Sequence, residues 1–367
     1  MPIFYIRIFI AILCLAAQSS IFAACKSRNI PAENYPHRSG PLNEREMSMA
    51  RTAWKFFENN TQPSGLVNAV DSYPSTTMWD TASYIGALVA ARELGIIDAQ
   101  AADVRLTKLL NVFNQLKFFR NELPNKVYHT QTLEPSDYGN KPGEIGFTAL
   151  DLGRILVWLK IVKERYPQHA DAVDRFVLRW NFDNVVDRSG MLFGAILDSN
   201  KKIQYLQEGR LGYEEYSAKG FQLWGISTEA ASKAEPYSTV PIYCVDVPYD
   251  SRDPRKYSQH NYVVSESYVL DGIEYNWDTY NDHNTNNNLH SHEWMEKFAH
   301  KVYQAQENRF NETGILTARS EHQLSEAPYF VYDTVFTDGY AWNTITEPGK
   351  YVPEYAAISL KAALGMW

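Results

Sequence analysis

Leu150-Asp151-Leu152-Gly153-Arg154-Ile155-Leu156-Val157-Trp158-Leu159-Lys160-Ile161-Val162 is apolar almost all round, the mark of a helix enclosed by other helices rather than laid on a surface. It belongs to a longer helical stretch, Gly143 to Tyr166, stopped by Pro167. The next stretch, His169 to Trp180, interleaves charged with apolar residues and should lie outside. Toward the N-terminus the pattern predicts helices over Asn43 to Asn59, ended by the Asn59-Asn60-Thr61-Gln62-Pro63-Ser64-Gly65 turn cluster, from near Asp80 to Gly95, and over Ala99 to Leu116. Toward the C-terminus, Met191 to Leu197 and Lys202 to Gln207 flank Asp198-Ser199-Asn200-Lys201, a β-hairpin signal. Gly212 to Trp224 is helical again, and Val240 to Val247 alternates like a strand. Tyr262 to Ile273, His290 to Phe310 and Pro353 to Trp367 complete the helices. The recurring order is amphipathic helix, loop, buried helix. Tandem hairpins of this kind close most simply into an all-α toroid, buried helices inside and amphipathic ones outside, with the β-hairpin as a small insertion. An open superhelix of stacked helix pairs would need a fixed repeat period, and none is present.

The 367 residues carry 35 basic and 43 acidic side chains, a formal charge of −8, with no cluster of Lys or Arg. Phosphate binding needs a concentrated positive stripe, so nucleic acid is excluded as a partner and the ligand should be neutral or cationic. The 24 Tyr, 17 Phe and 9 Trp favour rings with a flat apolar face and a polar tip, as sugar-binding surfaces, interfaces and cores use them. Arg7 followed by the apolar run Ile8 to Ala17 is too short to span a bilayer and reads as the core of a signal peptide covering residues 1–24. Residues 25–42 read as a flexible segment and 43–367 as one domain. The protein is expected to be periplasmic or secreted. Cys25 either pairs with Cys244 in an oxidising compartment or is acylated, making an outer-membrane lipoprotein and leaving Cys244 a lone buried thiol.

Phosphate-loop, dinucleotide, nucleophile-elbow and zincin motifs are all absent, which leaves carboxylates. Asp151 and Arg154 lie three apart on one face of the apolar helix, either as a simple ion pair or with the carboxyl facing a cavity. Glu214 and Glu215 open another buried helix in Gly212-Tyr213-Glu214-Glu215-Tyr216. They either complement its dipole, Glu215 pairing with Lys219, or do chemistry. Asp80, in Trp79-Asp80-Thr81, is either an N-cap or an acid on the rim where the inner helices of a toroid converge. Asp278 to Glu293 holds Asp282, His283, His290, His292 and five Asn, but no complete ligand spacing, so it reads as a solvated loop. No metal and no cofactor are expected.

At Thr77-Met78-Trp79-Asp80-Thr81-Ala82-Ser83-Tyr84-Ile85-Gly86 and onward to Gly95, the chain resembles an uncharacterised family of exported bacterial proteins. Further matches are Glu122 to Tyr128, Gly146 to Arg154, Glu208 to Tyr216, Ser265 to Gly272 and Ala341-Trp342-Asn343. That family is distantly similar to endo-β-1,2-glucanases and to the glucoamylase-like segment of cyclic β-1,2-glucan synthases. The resemblance implies an (α/α)6 barrel in the periplasm and a glycan-related role, with Asp151 and Glu215 where the relatives place acidic residues. It also implies a barrel lacking its last hairpin, because the chain stops at the apolar helix Leu360 to Trp367.

The expected activity is that of a glycoside hydrolase or transglycosylase acting on a β-glucan or exopolysaccharide. One of Asp151 and Glu215 would protonate the leaving oxygen and the other would activate water, with Asp80 in reserve. Trp79, Tyr128 and Trp342 would be sugar platforms, and Arg154, Arg210 and Glu214 further substrate contacts. The alternative is a non-catalytic glycan-binding or envelope assembly protein whose carboxylates only pair with Arg154, Lys219 and Arg210. The catalytic pairing requires Asp151 and Glu215 to reach one opening.

Overall fold

The computed structural model describes residues 40–257, 260–279, 293–346, 349–352 and 354. Its α-helices are α1 (Glu44–Asn60), α2 (Met78–Glu93), α3 (Ala99–Phe113), α4 (Ala149–Arg165), α5 (Ala170–Val177), α6 (Tyr213–Gln222), α7 (Pro254–Tyr257), α8 (Glu266–Tyr275) and α9 (Glu293–Thr313). Several begin where a side chain satisfies backbone N–H groups that a first turn leaves without partners. Asn43 and Glu46 form a reciprocal capping box at α1, Thr77 and Asp80 form another at α2, and Asp98 accepts the Ala101 N–H at α3. Thr77, one turn earlier than Asp80, is therefore the N-cap, and Asp80 is the third helical residue.

Helix α4 is enclosed, as its sequence requires, and α5 covers the outside, burying only Val173, Phe176 and Val177. Against α4 lies α6, and the two backbones touch. A Cβ on Gly153 would sit 2.4 Å from the Ser217 carbonyl oxygen, and one on Gly220 would sit 1.9 Å from the Gly153 carbonyl oxygen. That approach leaves no room for water, and every residue from Tyr213 to Phe221 is buried.

There is more β-structure than one inserted hairpin. The expected hairpin forms, Phe193–Leu197 pairing with Ile203–Gln207, but Gly146–Phe147 joins it as a third strand. Val240 to Val247 is the tip of a second hairpin, Tyr237–Ile242 with Val245–Asp250, turned by Tyr243 and Cys244 at positive φ. Cys244 is disulfide-bonded rather than a lone thiol; its partner lies outside the described residues. Tyr262–Val263 pairs with Phe336–Thr337 instead of opening a helix. A four-stranded antiparallel sheet runs Glu321–Gln323, Phe330–Asp333, Thr344–Thr346, Lys350–Val352. These excursions between helices carry buried backbone polar groups that short strand pairs satisfy.

The apolar interior falls into two clusters, one built mainly from α1 to α6 and the other from α6, α8, α9 and the strands around them. Trp79, from α2, packs on the second and ties the two together. No described helix is long and apolar enough to cross a membrane. The signal peptide, the flexible segment up to residue 39 with Cys25, the histidines at 283, 290 and 292, and nearly all of Pro353 to Trp367 with the expectation of a missing hairpin lie outside the described residues.

Candidate active site

Where the two clusters meet, a cleft of about 570 Å³ opens. The first turns of α2 and α4 bring Trp79, Asp80 and Asp151 to it, and the segment entering α6 brings Glu208, Arg210 and Tyr213. Glu266 from α8 and Glu321 from the four-stranded sheet complete its acids. An aromatic chain runs along it. Ring centroids are 4.9 Å apart from Tyr138 to Phe330, 5.1 Å from Phe330 to Tyr332, 4.9 Å from Tyr332 to Tyr262, 6.0 Å from Tyr262 to Tyr213 and 5.8 Å from Tyr213 to Trp79. The walls thus combine flat apolar faces with carboxylates.

Asp151 has no hydrogen-bond or ion-pair partner among the described residues. Arg154, the neighbour expected to pair with it, turns away into the interior. There its guanidinium donates to Glu274 Oε1 (3.1 Å), Ser83 Oγ (2.7 Å), the Trp79 carbonyl (2.8 Å) and the Tyr216 hydroxyl (3.2 Å). It lies 4.8 Å from the Trp79 ring centroid, beneath that ring and off the cleft wall. Burial raises the Asp151 carboxyl well above the usual carboxylate range, and the charges of Glu208 and Asp80 push it further.

Glu208 explains why Asp151 is left open. Its Oε2 accepts the Thr148 hydroxyl (2.8 Å), the Ala149 N–H (2.5 Å) and the Leu150 N–H (3.4 Å), so a residue from another segment caps α4 together with Thr148. Burial raises Glu208 too, opposed by Lys126 and these hydrogen bonds. Asp80 is held through Oδ2 by the Thr77 N–H (3.3 Å) and hydroxyl (2.7 Å), while its Oδ1 accepts no hydrogen bond among the described residues. Glu266 takes the Trp79 indole N–H on Oε1 (3.0 Å) and the Ser320 hydroxyl on Oε2 (2.8 Å), fixing the edge of the Trp79 ring.

The expected partner of Asp151 is not at this opening. Glu215 is fully buried and accepts the Gly212 N–H (2.7 Å) and the Glu235 N–H (3.3 Å); burial pushes it up to about 8. Gly212 precedes α6 at φ +95° without a side chain, and Glu215 turns back to its N–H. Nor does Lys219 pair with Glu215; it pairs with Asp271 and stands over the Tyr275 ring at 4.7 Å. Glu214 is sealed as well, taking the Leu192 N–H (2.8 Å) and the Gln207 side-chain amide (2.9 Å), and burial followed by Glu235 raises it well above its usual range.

Two expected platforms are also displaced. Tyr128 is fully buried, donating to the Lys117 carbonyl (2.8 Å) and accepting the Asn125 N–H (2.8 Å), so neither ring face is open. Trp342 lies under Arg309 (4.4 Å) and Arg319 (5.5 Å), off the cleft wall. Arg210 does line the cleft, its Nε donating to the His260 carbonyl (2.6 Å) and its guanidinium 5.6 Å from the Tyr262 ring. Glu208, Glu266, Glu321, Tyr262, Phe330 and Tyr332 escaped the sequence reading. Glu208 and Glu266 stand inside stretches that carried the family resemblance, which was the available signal.

The fold is similar to those of solved glucoamylase-like structures. The structure is similar to a candidate glucoamylase from Bacteroides fragilis NCTC 9343 (TM-score 0.52, 8% identity, 82% of this chain and 76% of that one). It is also similar to a candidate glucoamylase from Bacteroides caccae ATCC 43185 (TM-score 0.51, 8% identity, 79% and 74%) and to an endo-β-1,2-glucanase from Chitinophaga pinensis solved with sophorotriose and glucose (TM-score 0.50, 10% identity, 80% and 75%). By sequence the chain belongs to the family described as protein of unknown function (DUF3131), matched over residues 48–367. No curated protein matches it significantly.

Proposed function

We propose that this protein is a glycoside hydrolase or transglycosylase acting on a β-glucan or exopolysaccharide outside the cytoplasm, with Asp151 as general acid and Asp80, rather than Glu215, as the group that activates the acceptor. The observation that carries this is Asp151 itself, an unpartnered carboxyl on a cleft wall, raised well above the usual carboxylate range beside Asp80 and Glu208. A carboxyl raised in this way keeps its proton to higher pH than an ordinary one and gives it to the glycosidic oxygen as the C1–O bond breaks. Water, or a sugar hydroxyl in transfer, adds to the anomeric carbon and loses its proton to Asp80 Oδ1. Trp79, Tyr262 and Tyr332 supply faces for sugar rings, and Glu208 and Lys126 set the field at Asp151.

The helical pairs fit an (α/α)6 toroid with its short sheets as excursions. The disulfide at Cys244 supports an oxidising compartment, periplasmic or secreted. The test is a panel of β-1,2-, β-1,3-, β-1,4- and β-1,6-linked glucans and bacterial exopolysaccharides, incubated with wild type, Asp151→Asn and Asp80→Asn while product ends are counted. Product from wild type alone supports the reading. Glycan binding without product would leave a carbohydrate-binding protein, and equal product from all three would remove both residues from the chemistry.

A further inference from the structure

The four-stranded sheet that floors one side of the cleft has a row of residues in direct register. Glu321 faces Tyr332, Tyr332 faces Ile345, and Ile345 faces Tyr351. Direct partners in antiparallel pairs present their side chains on the same face, so these four form one line across the sheet. The first three line the cleft. With adjacent strands about 4.8 Å apart, Tyr351 continues that line about one strand beyond Ile345.

Tyr351 is not placed as an ordinary surface residue. It is 52% exposed on the edge strand Lys350–Val352, where charged side chains are the usual guard. Its hydroxyl donates to Asp338 Oδ2 (3.1 Å), and the same carboxylate oxygen bonds His260 Nδ1. His260, its ring edge-on to Tyr351 with centroids 6.1 Å apart, lines the cleft. One end of the tyrosine is therefore tethered to the cleft wall through Asp338 and His260, while half its surface is left to solvent. A ring held at its polar tip offers a sugar a fixed stacking surface at little conformational cost.

We propose that Tyr351 is an outer stacking subsite for a glycan chain leaving the cleft along this sheet, so that the site takes a polymer in preference to a short oligosaccharide. This rests on the glycan-cleft reading above and assigns the cleft a direction: the chain runs from the carboxylates over Tyr332 and out across Tyr351.

The test uses the glucan from the panel that wild type binds most tightly, as polymer and as its trisaccharide, with affinities measured by calorimetry. Tyr351→Ala is expected to weaken polymer binding roughly tenfold, leaving trisaccharide affinity and melting temperature at wild-type values. Tyr351→Phe, which keeps the ring and loses the tether, should fall between the two. Unchanged polymer affinity in Tyr351→Ala overturns the subsite while leaving the cleft reading intact, as does an equal loss for polymer and trisaccharide. If wild type binds no polymer, the cleft reading fails and the subsite falls with it.

Discussion

Helices α4 and α6 lie backbone to backbone, and each carries an acid at its third residue, Asp151 in one and Glu215 in the other. Their fates are opposite. Thr148 and Glu208 satisfy the first N–H groups of α4 from outside, so Asp151 is released to the cleft without a partner. At α6 Gly212 has no capping side chain, and Glu215 folds back to accept the Gly212 N–H and is sealed. The same position in the first turn of a buried helix is thus open to the cleft in one case and sealed in the other. The surroundings of the turn, not the acid, decide the outcome.

The sharpest way to break this contrast is to neutralise each acid in turn. Asp151→Asn should cut product formation about 10²- to 10⁴-fold without lowering the melting temperature, since no hydrogen bond or ion pair is lost. Glu215→Gln should leave turnover close to wild type. Turnover assays beside thermal melts of both variants check the pair.

Stability against pH distinguishes the sealed acid next. Glu215 is raised from 4.5 to about 8 on folding, so the folded state holds its proton more tightly than the unfolded chain. That contribution is complete below about pH 4.5 and disappears as pH rises toward 8, up to roughly 5 kcal/mol as an upper bound. Denaturant melts of Glu215→Gln, which keeps a neutral acceptor for Gly212, should match wild type near pH 4.5 and exceed it near pH 8.

Glu208 links the two halves of the contrast. Glu208→Gln keeps an oxygen for the α4 cap but removes a charge that raises Asp151. The alkaline limb of the pH–rate profile should then move to lower pH, because Asp151 loses its proton earlier. An unmoved limb would show that Glu208 acts only as a cap. The smallest effect belongs to Thr148→Val, which removes one hydroxyl of the α4 cap and should cost about 1 kcal/mol in a chemical melt, provided Glu208 still holds Ala149.

The helical scaffold was legible because its signal is local. The all-round apolar run after Leu150 specifies a buried helix, Pro167 marks its end, and the cluster after Asn59 marks the end of the first helix. Asp151 was legible for the same reason, a charge inside an apolar stretch. Its true surroundings were not, because they are assembled from distant segments: Glu208 reaches Ala149 across 59 positions and Glu266 reaches Trp79 across 187. Arg154 was misread for the converse reason. A partner three residues away on the helix was visible in the chain, whereas Glu274, 120 positions on, was not. Short strands such as Tyr262–Val263 carry too few residues to show alternation, so the sheet bearing Glu321 and Tyr332 left no periodic trace.

The most direct test is an infrared difference titration of wild type against Asp151→Asn, which isolates the Asp151 carboxyl. A protonated-carboxyl band present in wild type, absent in the variant and persisting to pH values well above the ordinary carboxylate range is the expected result. A band that vanishes within that range would mean an ionised, ordinary surface aspartate, and Asp151 could not serve as the acid.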